Sequence, residues 1–514
     1  MRNPIDVVIE IVNPKAGRER AQERMALAVA LGTTNKREYD AATSGRRNGA
    51  WWRPNTSAAQ EASKAVDKLA NAGRELTRNN PLANRIPSIW ANNAVGREVS
   101  LEAYNFEAKA DAEKFNTDWD TWADSTDCDF EGHNNLGGLQ WLWMHTVAES
   151  GGVFIRRHVN RAKHLNFPLQ LQTIEQDYLD KSKSSIGESD TTIDGIKYSN
   201  QGQILGYWFL TEPTNTKLGK PPKSKFHKAR NIIHIFRKKR AGQHLGITFL
   251  HSNATTLHNY DTYKDAKLLQ QQIAACFALI FEGAEGATTT NPNTKGTSTT
   301  PDTIEPAMIE HVKAGTKAYT VTPPKADNST AFDIGLKRDI AVGSGITYEQ
   351  LTGDYSQVNF ASGRMGKNEF YQELDTIQYH TLKPKFDLIA RWFNDIHSIK
   401  SNTKKMKFDW TFPPRTSVNP GEEFKVLMAK VRHGMMSPRK ACKILGERLE
   451  KVVSEWEEDK KVMGDLALDI RPDQFSSAGN QLNVDDAASS NAESVKAKPK
   501  QGSEEEEKEN FKKK

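Results

Sequence analysis

Residues 345–364 read GITYEQLTGDYSQVNFASGR and lie between two helical patterns, at 332–342 and 365–394. Glycines interrupt the stretch, and its Asp, Ser and Asn side chains are types that hydrogen-bond to neighbouring backbone N–H groups. The stretch is therefore predicted to be an ordered polar loop. The helix that follows it is predicted to be interrupted at Pro384.

Upstream of this loop, residues 255–281 carry apolar side chains at three-and-four spacing, which predicts an amphipathic helix. At 1.5 Å per residue the helix would be about 40 Å long. Because it has one apolar stripe, we expect it to pack lengthwise on a partner. Residues 282–303 are rich in Gly, Thr, Asn and Pro, and 308–322 alternate, which predicts a small insert between the two helices.

The N-terminal half is predicted to be a mixed helix and sheet domain. A helix over 57–76 starts at Ser57, and a second helix follows Pro81. The predicted strands lie at 152–155, 169–174, 193–198 and 204–210, with an edge strand flanked by solvating charges within 220–240.

An acidic segment, 111–129, also contains Phe115, Trp119 and Trp122 at helical spacing. The spacing places the three rings on one face of a helix. Paired carboxylates can bind a metal, but a charged solvent face opposite an aromatic core face is the favoured interpretation.

The C-terminal part is predicted to contain a strand at 409–414 and helices at 422–432, 438–445 and 449–466. From 471 onward the chain is polar and ends in an acidic block and three lysines, so it cannot bury enough apolar surface to become ordered.

Composition limits the functional classes. The 514 residues are 37% hydrophobic and 26% charged, which is typical of a soluble protein of two to four modules. The formal charge of +6 is too small to indicate nucleic-acid binding by itself. Cys128, Cys276 and Cys442 are far apart, which indicates plain thiols in a reducing compartment. No segment resembles a signal peptide or a membrane span, so we expect no membrane association.

The sequence contains none of the common catalytic motifs. Residues 6–18 combine a short apolar run with a glycine turn that could hold a phosphate, and they resemble the opening of lipid kinases, but the downstream Gly-Gly-Asp-Gly loop is absent. No phosphate-binding loop, dinucleotide fingerprint, zinc-protease helix or nucleophile elbow is present. The prediction is a protein that is not an enzyme, with no catalytic residue, cofactor or metal. An enzyme acting on nucleic acid or phosphorylated substrates, suggested by residues 13–18 and the basic arm 36–53, remains the less favoured alternative.

Several short segments occur in the order and spacing of one known family. They are RNNP at 78–81, VG at 95–96, FEG at 130–132, ESGGVFIR at 149–156, RAGQ at 240–243, the loop at 345–364 and the helix pair at 434–452. With them the chain, from about 13 to 468, resembles the lambda-like portal proteins of tailed bacteriophages. One departure is His244-Leu245-Gly246-Ile247, where the family tends to have Arg-Gly, so Leu245 is not given the role of that Arg.

The resemblance implies an α+β, multi-domain portal fold in a ring oligomer: a mixed α/β wing, a helical stem, a small α/β clip and a helical crown. The implied boundaries are N-terminal arm 1–56, wing 57–254, stem helix 255–283, clip 284–325, second stem helix 326–344, channel loop and second part of the wing 345–420, crown 421–470 and disordered tail 471–514.

The function that the resemblance implies is a DNA conduit at one capsid vertex, for genome packaging and ejection. The implied partners are copies of the chain in a homododecamer, double-stranded DNA in the channel, the terminase large subunit, and head-tail connector and capsid proteins. The location would be the virion, and the host bacterial cytoplasm during assembly. Another capsid structural protein is the alternative.

The family places the segment after the second stem helix in the channel. The candidate DNA-channel residues are Thr352, Asp354, Ser356, Gln357 and Asn359. Gln357 and Asn359 are the first candidates for uncharged contacts with DNA. The alternative, which stays open, is that Asp354, Asn359 and Ser362 brace the loop and the next helix without touching DNA.

Overall fold

The computed structural model describes residues 13–30, 50, 54–105, 108–162, 165, 167–187, 190–212, 223–275, 279–282, 317–320, 329–401, 406–416 and 419–464. The chain divides into two compact units, Met1–Glu61 and Ala62–Lys514. The predictions for residues 6–11, for the basic arm at 36–47, for most of the clip and for the tail from 471 fall outside the described residues.

The first unit contains helix α1 (Pro14–Ala30). Pro14 is its first residue, and the Asn13 side chain accepts a hydrogen bond from the Ala16 N–H at 3.4 Å. Proline and asparagine favour these two positions at a helix start. Residues 14–18 are therefore the first turn of a helix and do not form the glycine turn that the sequence suggested as a phosphate holder.

Helix α2 (Ala58–Asn79) starts as predicted after Ser57. The Ser57 hydroxyl accepts from the Gln60 N–H at 3.3 Å, and the Gln60 side chain accepts from the Ser57 N–H at 3.4 Å. This reciprocal pair satisfies two N–H groups that the helix leaves without partners.

The remaining helices and strands are named in chain order. The helices are α3 Pro81–Ala94, α4 Lys109–Asp124, α5 Leu136–Ser150, α6 Ala254–Ala275, α7 Ser329–Ser344, α8 Tyr348–Thr352, α9 Phe360–Ile377, α10 Lys383–Ser401, α11 Pro420–Arg432, α12 Pro438–Ile444 and α13 Leu449–Met463. The strands are β1 Ser100–Tyr104, β2 Gly152–Val159, β3 Leu169–Glu175, β4 Ser185–Ile186, β5 Asp190–Ile193, β6 Ile196–Ser199, β7 Ile204–Leu210, β8 Ser224–Lys228, β9 Ile232–Phe236, β10 Leu279–Glu282, β11 Lys317–Thr320 and β12 Lys407–Thr411.

The main core is aromatic and lies among α3, α4, α5 and α10. Phe115, Trp119 and Trp122 on α4 are all at most 2% exposed, and Trp119 and Trp122 both contact the Phe393 ring at centroid distances of 5.1 and 5.3 Å. The aromatic face predicted from the i, i+4, i+7 spacing is confirmed.

Two of the acids of this segment form individual ion pairs. Asp118 pairs with His397 at 3.0 Å, and Asp120 pairs with Arg448 at 2.7 Å. Within the described part of the chain, no group of three or more His, Cys, Asp or Glu side chains could hold a metal ion. Cys128 and Cys442 are free thiols, while Cys276 lies outside the described residues.

The strands between α5 and α6 form two antiparallel sheets, ordered β3-β2-β9 and β4-β5-β6-β7-β8. The single strand predicted over 193–198 is wrong. Asp194 and Gly195 have φ of 48° and 79°, so they turn the chain between β5 and β6. Asp-Gly is a strong hairpin signal because both positions need positive φ. The strand predicted within 220–240 is two strands, β8 and β9, and each lies at the edge of its sheet.

A separate ribbon pairs β1 with β12, with Ser100 opposite Thr411 and Glu102 opposite Asp409. The strand predicted at 409–414 is therefore present, displaced toward residue 407. Its partner β1 had no sequence prediction, because the two strands are about 300 residues apart.

The helix predicted over 255–281 is shorter than expected. Helix α6 has 22 residues, about 33 Å at 1.5 Å per residue. Leu279–Glu282 is strand β10, which pairs antiparallel with β11. The expected stem helix over 255–283 is thus wrong at its end, because pairing with a distant strand overrides the local helical spacing. Helix α7 agrees with its prediction.

The C-terminal elements agree with prediction. Helices α11, α12 and α13 correspond to the three predicted helices, and α12 begins at Pro438 after the Ser437 cap. Helices α9 and α10 form one continuous helical path, and a π-helical segment, Gln378–Leu382, joins them just before Pro384. The changed hydrogen-bond pattern of a π-helical segment accommodates a proline, which has no backbone N–H to donate.

No helix in the described ranges is long and apolar enough to cross a membrane.

Candidate functional site: the loop between α8 and α9

The loop is joined to the core at the end of α7. The indole Nε1 of buried Trp90 donates to the Ser344 carbonyl at 3.1 Å. Gly345 follows with φ of 69°, and a Cβ there would lie 3.3 Å from the Trp90 ring. Glycine fits this position because it allows both the left-handed backbone and the close ring.

Helix α8 fixes the entry of the loop. The Thr347 hydroxyl accepts from the Gln350 N–H at 3.2 Å, and the Gln350 side chain accepts from the Thr347 N–H at 3.1 Å. Leu351 is 1% exposed and anchors the helix in the main core. Gly353, with φ of 75°, ends the helix in the left-handed conformation.

The turn itself is held by short-range bonds. The Asp354 N–H donates to the Thr352 hydroxyl at 3.2 Å, and the Ser356 N–H donates to the Asp354 carboxylate at 3.0 Å. The Thr352 hydroxyl in turn donates to the Tyr348 carbonyl at 2.8 Å. Hydrogen bonds from the backbone and side chain of Ser356 lower the pKa of Asp354, so this carboxylate is ionised near neutral pH.

Asn359 fixes the exit of the loop. Its side chain accepts from the Ser362 N–H at 2.8 Å, while its own N–H donates to the Ser362 hydroxyl at 3.2 Å. This capping box starts α9 at Phe360, five residues before the predicted start at 365. The last part of the predicted loop, from Phe360 onward, is therefore the first turn of this helix.

The five candidate residues come together in this one loop, and the structure distinguishes among them. Thr352, Asp354, Ser356 and Asn359 all take part in the local bonds above. Gln357 is exposed, and its side chain has no hydrogen-bond partner among the described residues. The bonds that the bracing alternative requires at Asp354, Asn359 and Ser362 are present, whereas contact of any of these residues with DNA stays a prediction.

The electrostatic character of the loop is close to neutral. Between 351 and 362 the one charged residue is Asp354. The exposed rings of Tyr355 and Phe360 lie on either side of Gln357 in the chain. The arrangement presents polar and aromatic groups to solvent on a well-braced turn, and it contains no nucleophile paired with a base.

No sequence pattern indicates the residues that connect this loop to α6 and α7. Asn253, just before α6, donates from Nδ2 to the Ile340 carbonyl at 2.7 Å and to the Ser344 hydroxyl at 2.8 Å. At the next turns, Tyr260 donates to the Asp333 carboxylate at 2.7 Å. These contacts join positions that are 73 to 91 residues apart, so no local spacing indicates them.

The model of the family described as phage portal protein, lambda family, matches residues 44–378 of this sequence. The chain belongs to the lambda family of phage portal proteins. The match includes both helices α6 and α7 and the whole loop, which confirms the resemblance noted in the sequence. The family is structural rather than enzymatic.

Named relatives agree with this membership. The chain is 25% identical over 364 residues to a probable portal protein of Halomonas phage phiHAP-1, covering 66% of this portal chain and 69% of the relative. It is 19% identical over 457 residues to portal protein B of Escherichia phage lambda, covering 79% and 85%.

Among solved structures, a chain in the neck of the native GTA particle, computed with C12 symmetry, has a TM-score of 0.44 at 14% identity and covers 75% of this chain and 94% of that one. An HK97 family phage portal protein from Corynebacterium diphtheriae has a TM-score of 0.32 at 12% identity, covering 65% and 94%.

Proposed function

We propose that this portal chain assembles into a homododecameric ring at one capsid vertex, through which double-stranded DNA enters during packaging and leaves during ejection. Beyond family membership, the observation that carries the proposal is the exposed apolar surface of α6 and α7. Leu268 and Leu269 on α6 are 59% and 57% exposed, and Phe332 and Val342 on α7 are 56% and 80% exposed. Large apolar side chains at this density favour burial against a second copy.

We assign the segments of the chain to stem, clip, wing and crown in the order that these parts have in the family. Helices α6 and α7 form the stem, and the segment between them, with β10 and β11, forms the clip that contacts the terminase large subunit. The α/β part before α6 and the segment around α10 form the wing, which meets capsid proteins, while α11 to α13 form the crown. Head-tail connector proteins bind after packaging, and assembly takes place in the host bacterial cytoplasm.

We further propose that the loop contacts DNA through Gln357, while Asp354 and Asn359 hold its shape. A surface along which DNA must slide should avoid dense Lys and Arg, because each neutralised phosphate adds salt-dependent affinity and resistance to movement. The single charge of the loop is negative, which fits weak contact better than tight binding.

Negative-stain electron microscopy of the purified chain tests the ring. Closed rings with a central hole are expected, with twelve-fold symmetry in class averages. A monomer or dimer at micromolar concentration, under all salt conditions, would overturn the proposal.

A packaging assay tests the loop. Gln357→Arg adds a cation at the proposed contact, so packaging should slow, and the slowing should lessen as salt rises. Gln203→Arg makes the same change at an exposed position between β6 and β7 and serves as the control. Equal packaging rates for the two variants, with rings intact, would exclude Gln357 from the DNA path.

A further inference from the structure

The last two helices, α12 and α13, are joined to the rest of the fold by polar side chains and not by a shared apolar core. Neither helix contains a buried residue, and none of their residues belongs to the two apolar cores of the described chain. A cavity of about 600 Å³ lies between them and the body formed by α4 and the β1–β12 ribbon. Burial of apolar surface is the usual force that holds one element on another. The attachment of this helix pair therefore depends on its polar contacts.

Arg448, the residue before α13, makes the most extensive of these contacts. Its two terminal nitrogens lie 3.2 and 2.7 Å from the two carboxylate oxygens of Asp120 on α4. The guanidinium also donates to the Leu101 carbonyl on β1 at 2.9 Å. A bidentate pair of this kind fixes orientation as well as distance. The turn before α13 lies against Pro414, since a Cβ at Gly446 would be 2.6 Å from the Pro414 ring.

Two further basic side chains hold α12 to the ribbon. Lys443 pairs with Asp409 on β12, and Arg439 lies 3.4 Å from the carboxylate of Glu102, which is opposite Asp409 on β1. Arg439 also pairs with Glu450 on α13, so one guanidinium joins the ribbon to both helices. Because the two helices are joined to each other through this arginine, we expect them to move as one unit.

Most of the acids in these pairs are accessible to salt. The side chains of Asp120, Asp409 and Glu450 are 40%, 39% and 49% exposed. Ion pairs with this exposure are individually weak, and they are screened at high ionic strength. Several such pairs together can hold an element in place at low salt and release it at high salt.

Glu102 differs from the other acids because its side chain is 4% exposed. Burial, a hydrogen bond with Glu450 and the charges of Glu450 and Asp409 raise the pKa of Glu102 to about 7, whereas the charge of Arg439 opposes them. The other charged groups on the elements packed around Glu102 are Glu98, Asp120, Lys443 and Arg448. Near neutral pH, a proton at Glu102 therefore relieves repulsion among three neighbouring acids.

The direction of the pH effect follows from this environment. A Glu102 side chain that becomes solvated when α12 and α13 leave the ribbon regains a pKa near 4.5. The docked state thus binds the proton more tightly than the undocked state. Docking is therefore weakened as pH rises from about 4.5 to about 7, and the effect levels off above that range.

We propose that α12 and α13 form an ionic clamp, which undocks from the β1–β12 ribbon and α4 as one unit when ionic strength rises or when Glu102 loses its proton. Salt and the proton act on the same equilibrium, because both change the balance of charge between the helices and the ribbon. This device goes beyond the conduit function, and it does not depend on how many copies form a ring.

Hydrogen exchange measured by mass spectrometry on the full chain tests the proposal, with rates expressed relative to the intrinsic exchange rate at each pH. Helices of 7 and 15 residues are too short to be stable alone, so undocking should expose their amides to exchange. Raising salt from about 0.1 to about 1 M shortens the screening length from about 10 to about 3 Å. Protection of residues 438–463 should fall by about 10-fold, while that of the core helix α5 stays constant.

A pH series with two variants separates the proton from the salt. Between pH 5.5 and pH 8, protection of 438–463 in the unmodified chain should fall by about 10-fold or more. Glu102→Gln is neutral throughout, so it should remove this pH response and keep the salt response. Arg448→Gln removes the bidentate pair, so protection should be low in every condition.

Two further variants serve as controls. Lys197→Gln removes an ion pair with Asp190 in the β5–β6 hairpin, and it should leave the protection of 438–463 unchanged. Gly446→Ala strains a residue with φ of 82° and forces a Cβ against Pro414, so it should open the clamp without removing a charge. It also provides a second opening variant if Arg448→Gln fails to fold.

Three results would overturn the proposal. The first is protection of 438–463 that stays the same at high salt in the unmodified chain. The second is an equal loss of protection in α5, which would indicate general unfolding. The third is a pH response that persists in Glu102→Gln, which would assign the titrating group elsewhere.

Discussion

Replacing Gly343 by alanine should loosen the joint between α6 and α7, whereas the same replacement at Gly335 should not. A Cβ at 343 would overlap Asn253 Oδ1 and lie 2.7 Å from Asn253 Cγ and Nδ2. At Gly335, on the same helix, a Cβ would meet nothing within 4 Å. The pair of variants therefore separates the effect of the joint from the effect of helix propensity.

The two substitutions should change stability in opposite directions. Alanine in place of glycine inside a helix stabilises by roughly 0.5–1 kcal/mol, and this is the whole expected effect at 335. At 343, displacement of Asn253 removes its bonds to Ile340 and Ser344, each contributing about 0.5–1.5 kcal/mol, and forcing an added methyl group into a packed site costs about 1–3 kcal/mol. The losses outweigh the propensity gain, so Gly343→Ala should destabilise this joint by about 1–5 kcal/mol.

Hydrogen exchange measured by mass spectrometry on the assembled protein is the suitable assay, because it reports local opening. A loss of about 2 kcal/mol corresponds to roughly 30-fold faster exchange. The acceleration should appear at Leu257, whose N–H donates to the Asn253 carbonyl, and at the last turn of α7. Slower or unchanged exchange in Gly343→Ala, equal to that of Gly335→Ala, would refute the assigned role of Asn253.

Three further outcomes are expected. Asn359→Ala should destabilise the first turn of α9 by about 1 kcal/mol, seen as faster exchange at 360–363, while Asn359→Ser should retain most of the protection; equal protection in both would contradict the cap. Trp90→Phe should lower the melting temperature, because it leaves the buried Ser344 carbonyl without its donor at a cost of about 1–3 kcal/mol; an unchanged melting temperature would argue against that bond. Because the pKa of Glu102 is raised from 4.5 to about 7, the folded chain binds the extra proton, so stability should fall as pH rises across that interval and level off above it. Glu102→Gln should flatten this dependence in melts between pH 5 and 8, and a slope unchanged by the substitution would count against the assignment.

Helix starts were predictable where the determining bonds are local. Ser57, Pro81 and Ser437 each act within four residues of the helix that they begin, so their effect can be read from neighbouring letters. Asn359 belongs to the same class: the bracing alternative names it, although the predicted helix start at 365 is five residues too late. The Asp194-Gly195 turn can also be predicted from the sequence, since that dipeptide is typical of a hairpin.

Other errors arose from contacts between distant segments. Residues 279–282 continue the helical spacing of α6, yet they form a strand because 317–320 supplies backbone partners. The single strand predicted within 220–240 divides because its two halves pair with different sheets. Local spacing reports which face of an element is apolar, and it does not report which partner covers that face.

For the candidate site, the sequence by itself determined that residues 345–364 are ordered, polar and almost uncharged. The resemblance to the family followed from the order and spacing of short motifs along this one chain. Only the tertiary structure decided that Gln357 is the candidate without a local hydrogen-bond partner, and that Trp90 and Asn253 hold the loop to the core and to α6. The physical reason is distance along the chain. Caps and turns are satisfied within a few residues, whereas the Trp90–Ser344 bond spans 254 residues and exists only when the whole domain has folded.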